Sequence, residues 1–337
     1  MDDERRRRGG ERWAAAEGRV RREWGLQLPD SFLRFHVFLQ GLGAAERRAL
    51  ADMDVAPVGI SDLFADPGLS ARPGIDARAH GRYYRDPPEF LTFLHGGSDG
   101  LHYGLWSDDG STCDGVASYY THDGGDIDTG ARTPLEAIRV LIERHWRDLA
   151  DDDGDADRLA ARRHGPELLR EALTGLETGD RDETGAGYVR AYDSAAGPAD
   201  PARVATLDGA GALVTGATAP ERPVHRAPGG FRFAQARYPL LDAPAGPARP
   251  AEDARRRLAH GDPAEAPALG RDPHWASAGA PVRESLANEL LVGAYQALGR
   301  PSLAGIAQAH HDRRDLPNVI VLGSHQGMSD GSMSDGS

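Results

Sequence analysis

Three short stretches bring together side chains that could do chemistry. Asp151-Asp-Asp-Gly-Asp-Ala-Asp157 gathers carboxylates, the ligands that calcium prefers. With Gly154 at the sixth place of a calcium loop, the first ligand position falls on Leu149, which has no side-chain oxygen. The run therefore reads as a solvated connection between helices. Asp208-Gly-Ala-Gly-Ala-Leu-Val214 has glycines of the kind that cradle phosphate, but the third glycine of a dinucleotide fingerprint is missing. A turn leading into a short strand fits it better. His310-His311-Asp312 carries metal-binding side chains, yet neighbours on a helix point about 100° apart, and no second pair supports them. No metal site is expected. Ser, His and Asp are plentiful but no nucleophile elbow accompanies them, so no triad is assigned.

The densest wording lies at Arg82-Tyr-Tyr-Arg-Asp-Pro-Pro-Glu-Phe90. Pro87 and Pro88 stiffen the approach to a strand and withhold ladder donors, so Asp86 and Glu89 flank a fixed strand entrance. Glu89 to His95 and Leu101 to Trp106 alternate around a Gly-Gly-Ser-Asp-Gly turn, which predicts a hairpin. Gly115 to Tyr120 supplies a third strand of the same meander.

Helices bracket this sheet. Residues 11–24 read as a charged helix carrying Trp13, Val20 and Trp24. Asp30 or Ser31 is placed to cap a second helix, with Phe32, Phe35 and Leu39 on one face. Thr133-Pro-Leu-Glu136 is a capping box opening a helix through Leu135, Ile138, Leu141 and Ile142. Further helices are predicted around Glu167 to Leu176, Val282 to Leu298 and Ser302 to His310. The expected class is α+β: an antiparallel meander flanked by helices, with a helix-rich C-terminal region. The divisions are a charged arm (1–27), an α+β domain (28–150), a connecting helix (151–178), a mainly helical domain with Pro/Ala/Gly linkers (179–325) and a disordered tail (326–337).

Composition narrows the function classes. A net charge of −13 over 337 residues argues against sequence-specific or general nucleic-acid binding. Arg5 to Arg8 read as a solvated arm. Cys113 stands alone, which rules out an internal disulfide or cysteine-ligated zinc and suits a reducing compartment. No apolar run follows the charged N-terminus, and none reaches the roughly 18 residues of a membrane span. The expectation is an intracellular protein without membrane contact, cytoplasmic, or nuclear in a eukaryote.

Arg82-Tyr-Tyr-Arg-Asp-Pro-Pro-Glu-Phe90 resembles the signature of the histone PARylation factor family. The resemblance makes Tyr84, Asp86, Pro87, Pro88, Glu89 and Phe90 scaffold residues. It continues in Leu101-His-Tyr-Gly-Leu-Trp-Ser-Asp108 and in Thr206-Leu-Asp-Gly-Ala-Gly-Ala-Leu-Val214, which includes Gly209 and Gly211. Leu28-Pro-Asp-Ser-Phe32 and Ala294-Tyr-Gln-Ala-Leu-Gly-Arg300 are similar to other family segments. The family implies an accessory factor in the DNA damage response. It binds a poly(ADP-ribose) polymerase catalytic domain, lends a carboxylate to a composite active site and directs ADP-ribose to serine. NAD would be held by the partner and no cofactor by this chain.

The family's carboxylate turn is matched best by Leu258-Ala-His-Gly-Asp-Pro-Ala-Glu-Ala-Pro-Ala-Leu-Gly-Arg-Asp272. Asp262 falls at the glutamate, with Glu265 nearby as the second candidate base, while Gly261 replaces the acidic residue before it. Arg255, Arg256, Arg257, Leu258 and His260 are the expected partner contacts. The Leu-Pro-Asp-Ser-Phe start followed by a meander also resembles the SMI1/KNR4-like immunity and scaffold proteins, which implies protein binding without catalysis.

Overall fold

The period-two segments form the centre of the molecule. The computed structural model describes residues 2–97, 99–122, 126–150, 156–177, 203–214, 248–263, 266–316 and 318–324. Its main sheet is antiparallel and five-stranded, in the order β1 (Val55–Pro57), β3 (Phe90–Gly96), β4 (Leu101–Trp106), β5 (Gly115–Tyr120) and β6 (Asp128–Ala131). The three expected strands form its core. The outer two escaped the sequence reading: β1 is three residues ending in proline, and β6 is Asp-Thr-Gly-Ala. A short β2 (Ser70–Ala71) pairs separately with β9 (Leu322–Gly323), and β7 (Arg203–Val204) with β8 (Ala212–Leu213). The glycine-rich 208–211 segment is thus the turn of a hairpin, as its residues suggest.

Both faces of the sheet are covered, and β4 is buried along its whole length. Leu91, Phe93, Leu105 and Val116 face a core built with α1 (Asp2–Glu23), α2 (Asp30–Gly41), α4 (Ile60–Ala65) and α5 (Pro134–Ala150). There Phe93 meets Phe32 and Phe35 edge-on at 5.8 and 5.2 Å. The opposite face presents Phe90, Trp106, Ala117 and Tyr119 to a second cluster with Leu207, Trp275 and Ala276. Gly104 makes this arrangement possible, because an added Cβ would sit 2.3 Å from the Phe90 ring.

Several helix details differ from expectation. The first helix runs from Asp2 to Glu23, and Ala16, Val20 and Trp24 are buried in the main core. Pro29, not Asp30 or Ser31, is the N-cap of α2, and no side chain caps it; Asp30 lies inside the first turn, where its charge complements the helix dipole. Phe38 rather than Leu39 completes the fully buried face. Thr133 Oγ1 accepts from Glu136 N at 3.2 Å, whereas Glu136 returns its bond to Arg132 N at 2.7 Å, one residue earlier than a standard box. After α3 (Ala44–Asp52) and α5, the next helix α6 (Ala156–Glu177) starts well before Glu167 and is joined to α5 by Arg139, which donates to both Glu177 oxygens at 2.6 and 2.7 Å.

Four helices follow: α7 (Ala248–Ala259), α8 (Ala266–Ala276), α9 (Pro281–Ala297) and α10 (Pro301–Asp312). Leu291, Tyr295, Leu303 and Ile306 belong to the same core as the N-terminal helices. Cys113 is buried, and burial pushes its thiol up to about 12. No helix among the described residues is long and apolar enough to cross a membrane. The acidic run at 151–155 and the tail from 325 lie outside the described residues.

Candidate functional site

The signature residues form a buried polar hub. The Asp86 carboxylate accepts from His102 Nε2 at 2.8 Å and Tyr119 OH at 2.7 Å on one oxygen, and from Tyr83 N at 2.8 Å and Thr92 Oγ1 at 3.1 Å on the other. Burial alone would raise this carboxyl, but His102, Arg82 and Tyr119 outweigh it and hold it below its ordinary value. The Arg82 guanidinium satisfies the bend itself, donating to the carbonyls of Asp86, Pro87 and Phe90 at 2.9, 2.6 and 2.8 Å. Two prolines leave that bend short of backbone donors, and Arg82 stabilises the freed carbonyls.

The hub reaches into the C-terminal helices. His274 Nε2 lies 2.9 Å from the Asp86 carbonyl, so the neutral ring donates there from α8. Tyr295 of α9 donates to Glu89 Oε1 at 2.6 Å. Tyr84 OH meets Ser277 Oγ at 2.9 Å, accepts from Gly279 N at 2.6 Å and bonds Glu284, while Arg314 covers its ring. Arg271 of α8 donates to Asp208 Oδ2 at 2.8 Å and the Gly211 carbonyl at 2.7 Å, and its guanidinium lies over Trp106. Asp208 Oδ1 accepts from Ala210 N at 3.1 Å, and Gly209 and Gly211 turn the hairpin with φ of 85° and 72°. Asp86, Glu89, His102, Asp208, Arg271 and His274 are buried and bonded to one another's segments, which fits a structural role.

The candidate base occupies a different environment. It follows α7, whose end is a Schellman motif: Gly261 N donates to the Leu258 carbonyl at 2.9 Å and Asp262 N to the Arg257 carbonyl at 3.0 Å. Gly261 takes φ of 75°, the left-handed conformation that this motif requires. Asp262 is left on the surface with its side chain 41% exposed, and its Oδ2 accepts from Arg257 Nε at 2.9 Å. Arg255 pairs with Glu289 of α9 at 2.6 Å and Arg256 with Asp253 at 2.7 Å. His260 is exposed, with Nδ1 2.7 Å from the Arg256 carbonyl. Leu258 turns inward against Ala254, Ala266, Leu290 and Ala294. Glu265 lies outside the described residues.

Asp262 therefore joins none of the signature side chains. What connects them is α8, preceded by the Asp262 turn and carrying Arg271, His274 and Trp275 into the hub. Sequence reasoning did not single out Arg271, His274, Tyr295 or Arg314. Their one visible signal was unusual: arginine and histidine interleaved with Trp275 in a segment otherwise apolar enough to bury. No group of His, Cys, Asp and Glu suited to a metal occurs among the described residues, and His310 is buried beside His274.

The histone PARylation factor 1 family matches residues 15–163. That match shows similarity to the histone PARylation factor family over less than half of the chain. Histone PARylation factor 1 of Danio rerio is 33% identical over 86 residues, 25% of this chain and 25% of that protein. The family match takes in the Arg82–Phe90 signature and the whole five-stranded sheet. It ends in α6, before the β7–β8 hairpin and the Asp262 turn, so the likeness in the sheet region and the candidate base rest on different grounds.

Proposed function

We propose that this chain is an accessory factor that docks on an ADP-ribosyltransferase catalytic domain and lends it the Asp262 carboxylate. The observation that carries the reading is an exposed acid on a hydrogen-bonded helix-end turn, in a chain whose sheet region is similar to the histone PARylation factor family. A serine hydroxyl is a weak nucleophile at neutral pH and needs a positioned base. In the composite site, serine Oγ forms a bond to the anomeric carbon of NAD as the bond to nicotinamide breaks. The electron pair leaves with nicotinamide, and the serine proton passes to the carboxylate. NAD is held by the partner in this reading, and Glu265 is the second candidate for the base.

The test combines the full chain with a transferase catalytic domain from the same source, labelled NAD and a histone-tail peptide containing serine. Label on serine is expected only when both proteins are present, and Asp262→Asn with Glu265→Gln is expected to abolish it while binding persists. Binding with no change of acceptor, in wild type and variant alike, would leave a non-catalytic scaffold protein instead. Incorporation by this chain alone would make it a transferase in its own right.

A further inference from the structure

We propose that Arg257 is the positioning residue for the Asp262 carboxylate, an inference that rests on the function proposed above. An acid immediately beyond a helix C-terminus faces the negative end of the helix dipole, the least favourable place for a carboxylate on α7. In a Schellman motif the residues that contact each other at these two positions are commonly apolar. Here they are Arg257 and Asp262, and a charge pair at 2.9 Å replaces the apolar contact. The local rules of helix termination are broken at the first of the two residues proposed as the base, which is where such breaches are expected.

The geometry of the pair suits a base rather than a simple surface bridge. Oδ2 accepts from Arg257 Nε at 2.9 Å while the side chain stays 41% exposed, so the carboxylate is held by one oxygen and still reaches the surface. Arg257 is 24% exposed and the more enclosed partner, and its stem leaves the last turn of α7, so the guanidinium is the fixed element and the carboxylate the oriented one. The adjacent arginines are engaged elsewhere: Arg255 with Glu289 and Arg256 with Asp253. As a source of stability an exposed pair of this kind contributes about 0–1 kcal/mol. Its consequence lies in orientation, where a small misplacement of a catalytic group costs rate steeply.

The experiment compares Arg257→Gln, Arg257→Lys and Asp262→Asn with wild type in the two-protein assay, at saturating accessory chain. Arg257→Gln is expected to lower the rate of serine labelling about 10-fold, with the Kd for the catalytic domain within twofold of wild type. Arg257→Lys is expected to recover most of that loss. A second measurement needs no partner: the Hα–Hβ couplings of Asp262 should report one χ1 rotamer in wild type and averaging in Arg257→Gln. Loss of labelling in Asp262→Asn with an unaffected Arg257→Gln would overturn this inference and leave the proposed function standing. A weakened Kd in Arg257→Gln would make Arg257 a docking residue and overturn it equally. Unchanged labelling in the Asp262→Asn, Glu265→Gln double variant would remove the parent reading, and this inference with it. Averaged couplings in wild type would overturn the positioning role on their own.

Discussion

Asp86 accounts for more of this molecule than any other side chain. Its four hydrogen bonds tie the strand entrance to β3, β4 and β5. Asp86→Asn removes the charge on which His102 and Tyr119 converge, and breaking a buried charged network of this kind costs about 3–5 kcal/mol; urea denaturation at pH 7 would measure it. The sign of the pH effect follows from the lowered carboxyl. Its stabilising contribution is present above the unfolded value of about 4 and is lost as pH falls through the lower folded value. Gly104→Ala tests packing alone. The new methyl meets the Phe90 ring, and overpacking should cost about 1–3 kcal/mol. Neither role is local enough to read in advance. The Asp-Pro-Pro-Glu wording marks a strand entrance, but His102 and Tyr119 come from strands whose register only the fold supplies.

At the scale of elements, α8 is the part that the sequence concealed. Its hydrophobic pattern is weak because Arg271, Asp272 and His274 are buried polar residues, each bonded to a distant segment. The meander was legible because β3, β4 and β5 are rich in aromatic and β-branched residues around a glycine turn. The seat of α8 on that meander should be sensitive to acid. Burial, reinforced by Arg314 and Arg82, holds His274 well below its ordinary value, and burial does the same to His310 of α10. A histidine buried neutral must be charged in the unfolded chain, which then binds more protons. Stability should therefore fall as pH drops below about 6.5. Neither ring nitrogen of His310 is in hydrogen-bond geometry with the described residues. His310→Leu is accordingly expected to fold with near-native stability at pH 7 and to lose less between pH 7 and pH 5, read from urea midpoints at both values.

At the scale of the molecule, the central strands β3 and β4 are covered on both faces. The Phe90, Trp106 and Tyr119 face is closed by Leu207, Trp275 and Ala276, from segments later in the chain. A fragment ending at residue 214 would expose much of that surface and leave Glu89 without Tyr295. It should bind a hydrophobic dye and unfold with a reduced urea m-value per residue, whereas the full chain should unfold cooperatively. The family likeness was readable because it lies in short, ordered, low-entropy motifs such as the proline entrance. The Asp262 turn has no comparable constraint: it is an exposed helix end, where many sequences satisfy the same backbone.

The solitary Cys113 gives this architecture a practical use. A thiol buried and pushed up to about 12 is almost wholly protonated at neutral pH, and it is the thiolate that attacks maleimide and alkylating reagents. The native chain is thus chemically silent towards them. A cysteine introduced at Arg255, Arg256 or His260 would be the one reactive handle. A photo-crosslinker carried there would record what comes to lie against the Asp262 turn, with no background from the rest of the protein.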